Sequence, residues 1–223
     1  MDRIEELLRR PTSYNNIDGV GELALGFMGI GFFVLMWMQW HSSPLSFWHS
    51  MWTFFVYVGS MCIILHFGTK AIKERITYPR TGFVSYRKSK AVWINMIAAV
   101  AAALTTLTVV ALRKMPMETT IPIFLVGSLF ITLGYAFRVA REVQWKWIVA
   151  GAMAVAAIVV AFLPTPALES VGGSFEALHT PFVRLAGACL IYLLIWSVII
   201  LTSGGVSLWI YVHHTPLPQT ETE

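Results

Sequence analysis

The sequence predicts an all-α integral membrane protein, a bundle of six transmembrane helices with both termini cytosolic. Three observations predict it. Six apolar runs alternate with short hydrophilic connections along the 223 residues. Only 13% of the residues are charged, whereas a soluble domain carries about 25%, so a large apolar surface must face lipid. The positive charges are also strongly partitioned between alternate connections, the signature of membrane topology.

A membrane-crossing helix needs about 20 predominantly apolar residues. That criterion predicts spans near residues 20–40, 48–68, 91–112, 119–137, 147–163 and 182–212, within one transmembrane domain at 19–213. Residues 1–18 form a cytosolic amphipathic segment in which Ile4, Leu7 and Leu8 share one helical face. The segment lacks the apolar run and small-residue cleavage site of a secretory signal, so the first span is expected to act as its own uncleaved insertion signal. The first two spans make a tight hairpin, because Pro44 in a Ser-rich connection prevents one continuous helix. The last run is long enough to tilt or project, and Gly204 with Gly205 offers a bend. Residues 214–223 form a cytosolic tail.

With the amino terminus in the cytosol, all of the sixteen Lys and Arg residues except Arg113, Lys114 and Arg184 fall on the cytosolic side. The positive-inside rule therefore orients the chain. Tryptophan placement agrees. Trp37, Trp40, Trp48 and Trp52 fall at outer ends and Trp93, Trp145, Trp147 and Trp209 at inner ends, where indole rings favour the headgroups. Trp196 alone is left at mid-depth. The net charge of +4 has this topogenic meaning, and a nucleic-acid partner is not expected. Cys62 and Cys189 fall toward opposite sides of the bilayer, which disfavours a disulfide and leaves both as small packing residues.

Small residues mark places of close helix approach: Gly26, Gly29 and Gly31 in the first span, Ala98 and Ala102 in the third, and Ala152, Ala156, Ala157 and Ala161 in the fifth. Packing within one chain is the favoured reading, with a homodimer face as the alternative. No internal repeat of the kind common in secondary transporters is visible.

The cytosolic loop at 69–90 is the richest segment. Its positive residues are interleaved with Tyr78, Phe83 and Tyr86, the pattern of a surface that meets anionic lipid headgroups. The sequence Tyr78-Pro79-Arg80-Thr81-Gly82 reads as a turn, with a small hairpin possible around it. Arg75, Tyr78, Arg80, Gly82, Arg87 and Lys88 are the candidate lipid- or partner-binding residues. The plainer reading is that these charges only hold the topology. Asp18 and Glu22, at the amino-terminal edge of the first span, suit the helix macrodipole and form a structural cap, with Arg80 or Arg75 as expected partners.

Asn16-Ile17-Asp18-Gly19 with Gly21-Glu22-Leu23, and later Thr77-Tyr78-Pro79-Arg80-Thr81-Gly82-Phe83, resemble segments of uncharacterised bacterial multi-pass membrane proteins. The resemblance covers two short stretches and the span pattern. It implies a bacterial inner-membrane location and no particular activity.

Histidine supplies the remaining candidates for chemistry. His66 and His213, with His214, fall at similar depth and could ligate haem, although solvated interfacial histidines are the plainer account. His41, His49, His179, Glu169 and Glu176 read as solvated loop residues. Between the predicted interfaces no Asp, Glu, Lys or Arg falls in any span, which disfavours a proton-coupled transporter. Phosphate loops, nucleophile elbows and zinc-protease motifs are also missing. No cofactor, no metal and no enzymatic activity are expected. The favoured function is a non-enzymatic accessory, scaffold or lipid-contacting protein, which meets anionic headgroups and a membrane-protein partner or a second copy. The alternatives are a transporter or channel for a neutral or apolar solute, using Thr105, Thr132 or Ser197, and a haem-binding redox subunit.

Overall fold

The computed structural model describes residues 18–43, 45–81, 120–140, 143–172 and 180–215. They are helical nearly throughout. The helices are α1 (Val20–His41), α2 (Met51–Ile72), α3 (Tyr78–Thr81), α4 (Thr120–Tyr135), α5 (Trp147–Ala161), α6 (Thr165–Gly172) and α7 (Thr180–His214). Among the described residues five helices are long and apolar enough to cross a membrane: Val20–His41, Trp52–Arg80, Ile121–Ala140, Gln144–Ala161 and Val183–His214. The described residues are thus all-helical, and their long apolar helices are consistent with an integral membrane protein. The expected third span at 91–112, the segment at 1–17 and the tail from 216 lie outside the described residues.

The start of α1 is set by local chemistry. Gly19 has φ 70°, a left-handed conformation that side chains disfavour, and its carbonyl accepts the Leu23 N–H at 3.0 Å. The Asp18 carboxylate takes the otherwise orphaned Val20 N–H at 3.1 Å. At the other end, His41 Nδ1 lies 2.9 Å from the Trp37 carbonyl. Its Nε2 lies 3.3 Å from the Ser170 carbonyl of α6, so this residue bridges two elements. After the connection, Ser46 and Ser50 accept the N–H groups of Trp48 and Trp52, and the latter bond caps α2.

The largest departure from expectation is in the basic loop. Instead of a turn at 78–82, helical structure runs from Met51 to Thr81, through a π-helical turn at Lys73–Thr77. The Tyr78 N–H donates to the Lys73 carbonyl five residues back, which widens the helix just before Pro79. That widening accommodates the missing N–H and bulky ring of proline that would otherwise break a regular helix. A second π-helical turn, Ala136–Ala140, extends α4 in the same way. At about 1.5 Å per residue, the 51–81 helix is about 46 Å long, well beyond a hydrocarbon core of about 30 Å. Glu169 also departs from its loop assignment, because it sits on α6, a short helix that follows Pro164.

α1 packs most extensively on α7, and α2 is peripheral, touching chiefly α1. The α1–α7 interface is made by small residues. A Cβ on Gly26 or Gly29 would strike Leu201 or Ser197, and one on Gly204 would lie 2.8 Å from the Leu23 nitrogen. Gly31 instead lies against Met61 of α2. α7 runs through Gly204 and Gly205 as one uninterrupted 35-residue helix. A separate core of Phe124, Ala156, Ala157, Val160, Ala161, Leu168, Ala188 and Tyr192 joins α4, α5, α6 and α7. Ala152, by contrast, faces outward. Cys62 and Cys189 are both exposed on the outside of the bundle, which corrects the expectation that they pack. A small apolar residue is equally at home against lipid.

A buried ionic bracket as the candidate functional site

The ends of five described segments converge at one end of the bundle, and two acidic residues one helical turn apart hold them. Glu22 is 6% exposed on the first turn of α1, where the helix dipole favours its charge. Its Oε1 accepts the Lys146 ammonium at 2.7 Å and the Tyr135 hydroxyl at 3.1 Å. Its Oε2 accepts the Ser203 hydroxyl at 2.9 Å. Tyr135 and Ser203 oxygens are themselves 3.4 Å apart. One carboxylate thereby ties α1 to the end of α4, the start of α5 and the final third of α7.

Asp18, fully buried, makes the second half of the bracket. Besides the Val20 N–H, it takes the Thr77 hydroxyl at 3.2 Å and lies 3.5 Å from the Lys73 ammonium. The Thr77 carbonyl in turn accepts the Tyr211 hydroxyl at 3.3 Å. The π-helical turn after α2 is thus fastened to both α1 and α7. Gly19 is required between the two carboxylates, because a Cβ there would collide with the Gly204 carbonyl and Ser207.

Lys146 is fully buried, and its ammonium also lies 5.8 Å from the centre of the Trp145 ring. Burying such a charge is expensive unless it is paired and hydrogen-bonded, and the Glu22 carboxylate meets that requirement. A fully engaged pair of this kind fixes which helix ends meet and in what register. Its four groups are already committed to one another, so the arrangement suits clamping.

The expected partners of the acidic residues are corrected here. Asp18 and Glu22 pair with Lys73 and Lys146, not with Arg75 or Arg80. Because the chain stays helical, Lys73 and Thr77 stand four apart on one face, whereas Arg75, two residues on, points away and is exposed. Arg80 turns back and donates from Nη1 to the Ile76 carbonyl at 2.8 Å. Tyr78 is half-buried beside it. Gly82, Arg87 and Lys88 lie outside the described residues.

His66 stands on the exposed side of α2, its ring edge-on to Phe67 at 5.5 Å. His213 bonds to the Trp209 carbonyl at 2.9 Å and stacks on that indole. The described structure shows no contact between these two histidines, and among the described residues no group of three His, Cys, Asp or Glu side chains could hold a metal ion. The intramembrane hydroxyls bond back to their own helices: Ser128 to Leu125, Thr132 to Ser128, Ser197 to Leu193 and Thr202 to Val198.

No family model matches the chain, and no curated protein or solved structure matches it either.

Proposed function

We propose that the chain is a six-span protein of a bacterial inner membrane, related to uncharacterised bacterial multi-pass proteins, with both termini in the cytosol. It works by association and not by catalysis, presenting the basic end of its bundle to anionic lipid headgroups and to a membrane-protein partner or second copy. The topology is supported by direction. α2 arrives at the Glu22 end and α4 sets out from the opposite end, which is compatible with the proposed sixth span, for which the sequence offers the apolar run 91–112. α1 begins and α7 finishes at the Glu22 end, which supports the proposal of both termini on one side. The positive charge that the sequence assigns to that end supports a cytosolic orientation for it.

The observation that carries the functional reading is the helix 51–81. It outruns the hydrocarbon, its extension displays Arg75 to the surroundings beside a Lys70 that pairs with Glu74 at 3.8 Å, and the Asp18 bracket anchors its base. A positively charged helix end at headgroup depth is suited to anionic lipid, each such charge contributing about 1 kcal/mol. A solute path through Thr132 or Ser197 gains no support, since those hydroxyls are engaged by their own helices.

The test is lipid retention. The full chain is reconstituted in nanodiscs of phosphatidylglycerol mixed with phosphatidylcholine, and bound lipid is counted by native mass spectrometry. Arg75→Gln with Arg80→Gln is expected to lower phosphatidylglycerol retention by about fivefold per charge. Unchanged retention in a correctly inserted variant would sink the reading.

A further inference from the structure

The outer side of α2 carries residues that suit a neighbouring helix better than lipid. Among the described residues α2 touches chiefly α1, and none of its most apolar stretch is buried, whereas each of the other four crossing helices buries more than a quarter of its own. Val56, Gly59, Ile63 and His66 follow one another at steps of three and four residues along this uncovered side, and all four are exposed. A Cβ built on Gly59 meets nothing within 4 Å, so a second backbone has room to approach there. The His66 ring, among the described residues, meets only the edge of Phe67.

Depth makes the imidazole the sharper clue. Lys73 reaches Asp18 at 3.5 Å, at the edge of the span. His66 precedes Lys73 by two helical turns, which is about 10 Å further into the hydrocarbon at 1.5 Å per residue. No water serves the donor and acceptor nitrogens of an imidazole at that depth, and ionisable groups placed there pair with a polar neighbour.

The chain itself offers that neighbour. Residues 82–119 join α2 to α4 and contain the apolar run 91–112, whose sole amide side chain is Asn95. Counted from Lys90 into a helix, Asn95 stands about 8 Å deep from the same side as His66. An antiparallel register that sets Asn95 against His66 also sets Ala98 against Ile63 and Ala102 against Gly59, because the matching residues recur at the same spacing in opposite directions. Polar meets polar and small meets small, one heptad apart.

We propose that the uncovered side of α2 is the docking face for residues 91–112 of this same chain, packed antiparallel with the Asn95 amide hydrogen-bonded to the His66 imidazole and Ala102 against Gly59. Each of the two polar groups brings a donor and an acceptor, so each satisfies the other. The inference rests on the six-span reading and adds to it the place and register of the remaining span.

The experiment uses the full chain in its membrane, with Cys62→Ala and Cys189→Ala as background and a protease site inserted in the connection at 82–90. His66→Cys with Asn95→Cys, and separately Gly59→Cys with Ala102→Cys, are expected to form a disulfide on mild oxidation, so that the cleaved halves stay joined until reduced. The yield of each is expected to exceed by about tenfold that of Val56→Cys with Asn95→Cys, a pair set about 15 Å apart along the helices. Monodisperse elution of each variant shows that the bundle has formed. Arg113→Cys, probed with a membrane-impermeant maleimide, tests the six-span reading by itself and is expected to react from the outer face. Labelling there without either disulfide overturns the docking while the six spans stand. Labelling only from the cytosolic face overturns both. A disulfide between two chains of the His66→Cys single variant, with no joined halves in the double variants, shows that a second copy covers α2 and also overturns the proposal.

Discussion

Replacing Lys146 by methionine removes the cation from the Glu22 bracket while keeping an unbranched, apolar side chain in its place. The ammonium and carboxylate are 2.7 Å apart with side-chain exposures of 1% and 7%, so little solvent screens the pair. Removing one member of a buried pair costs about 3–5 kcal/mol, chiefly because the other charge is left behind. Glu22 keeps the Tyr135 and Ser203 hydroxyls, which places Lys146→Met toward the lower figure. Glu22→Gln leaves the ammonium stranded and is expected to be as damaging. The double variant removes both charges, and its loss is expected to be smaller than that of either single variant, since well-packed neutral replacements of buried pairs are often tolerated. Equilibrium unfolding in mixed detergent, followed by tryptophan fluorescence and helical circular dichroism, gives the four stabilities of the cycle. A coupling of about 2 kcal/mol or more is expected, and a value below about 0.5 kcal/mol, the limit of additivity, would refute the bracket as an energetic unit.

Tyr135→Phe is a milder probe of the same centre: Glu22 retains two donors, so a loss of about 1 kcal/mol in the same unfolding assay is expected, and a loss as large as that of Lys146→Met would mean that the hydroxyl and not the ammonium dominates. Asp18→Ala is expected to cost about 1–2 kcal/mol through the lost Val20 cap and Thr77 bond, and to expose the helix after Ile72 to limited proteolysis; an unchanged cleavage pattern would detach the projection from the bracket. Gly19→Ala combines a left-handed backbone with a collision against α7, for about 2 kcal/mol or more of destabilisation, whereas Gly21→Ala, where a Cβ meets nothing, is expected to be near neutral. Equal melting temperatures for the two glycine variants would contradict the close approach of α1 and α7.

Much of the architecture was legible in the order of residues, because burial in lipid demands long uninterrupted apolar helices and leaves charges only at their ends. Val20–His41 and Val183–His214 could be read almost to the residue on that ground. Gly26 and Gly29 also announced themselves as contact points, although not that α7 would be their partner. The π-helical turn at Lys73–Thr77 was not legible, since Tyr78-Pro79-Arg80-Thr81-Gly82 satisfies a turn template locally and only packing against Asp18 and Tyr211 favours the helix.

The same division runs through the candidate site. By itself the sequence determined that Asp18 and Glu22 lie at a span edge suited to acidic groups, and that positive charge belongs at the same end. One clue to Lys146 was present: a lysine between Trp145 and Trp147 at the start of an apolar helix sits where the dipole disfavours it, which implies a partner. Which partner was decided by the tertiary structure alone. Glu22 and Lys146 are 124 positions apart, and Glu22 and Ser203 are 181. Helical periodicity reports neighbours three or four residues away and carries nothing about contacts at that separation. Those contacts follow from how glycine-lined surfaces dock and in what register, and only there does an acidic residue at a helix edge become the centre that holds four helices together.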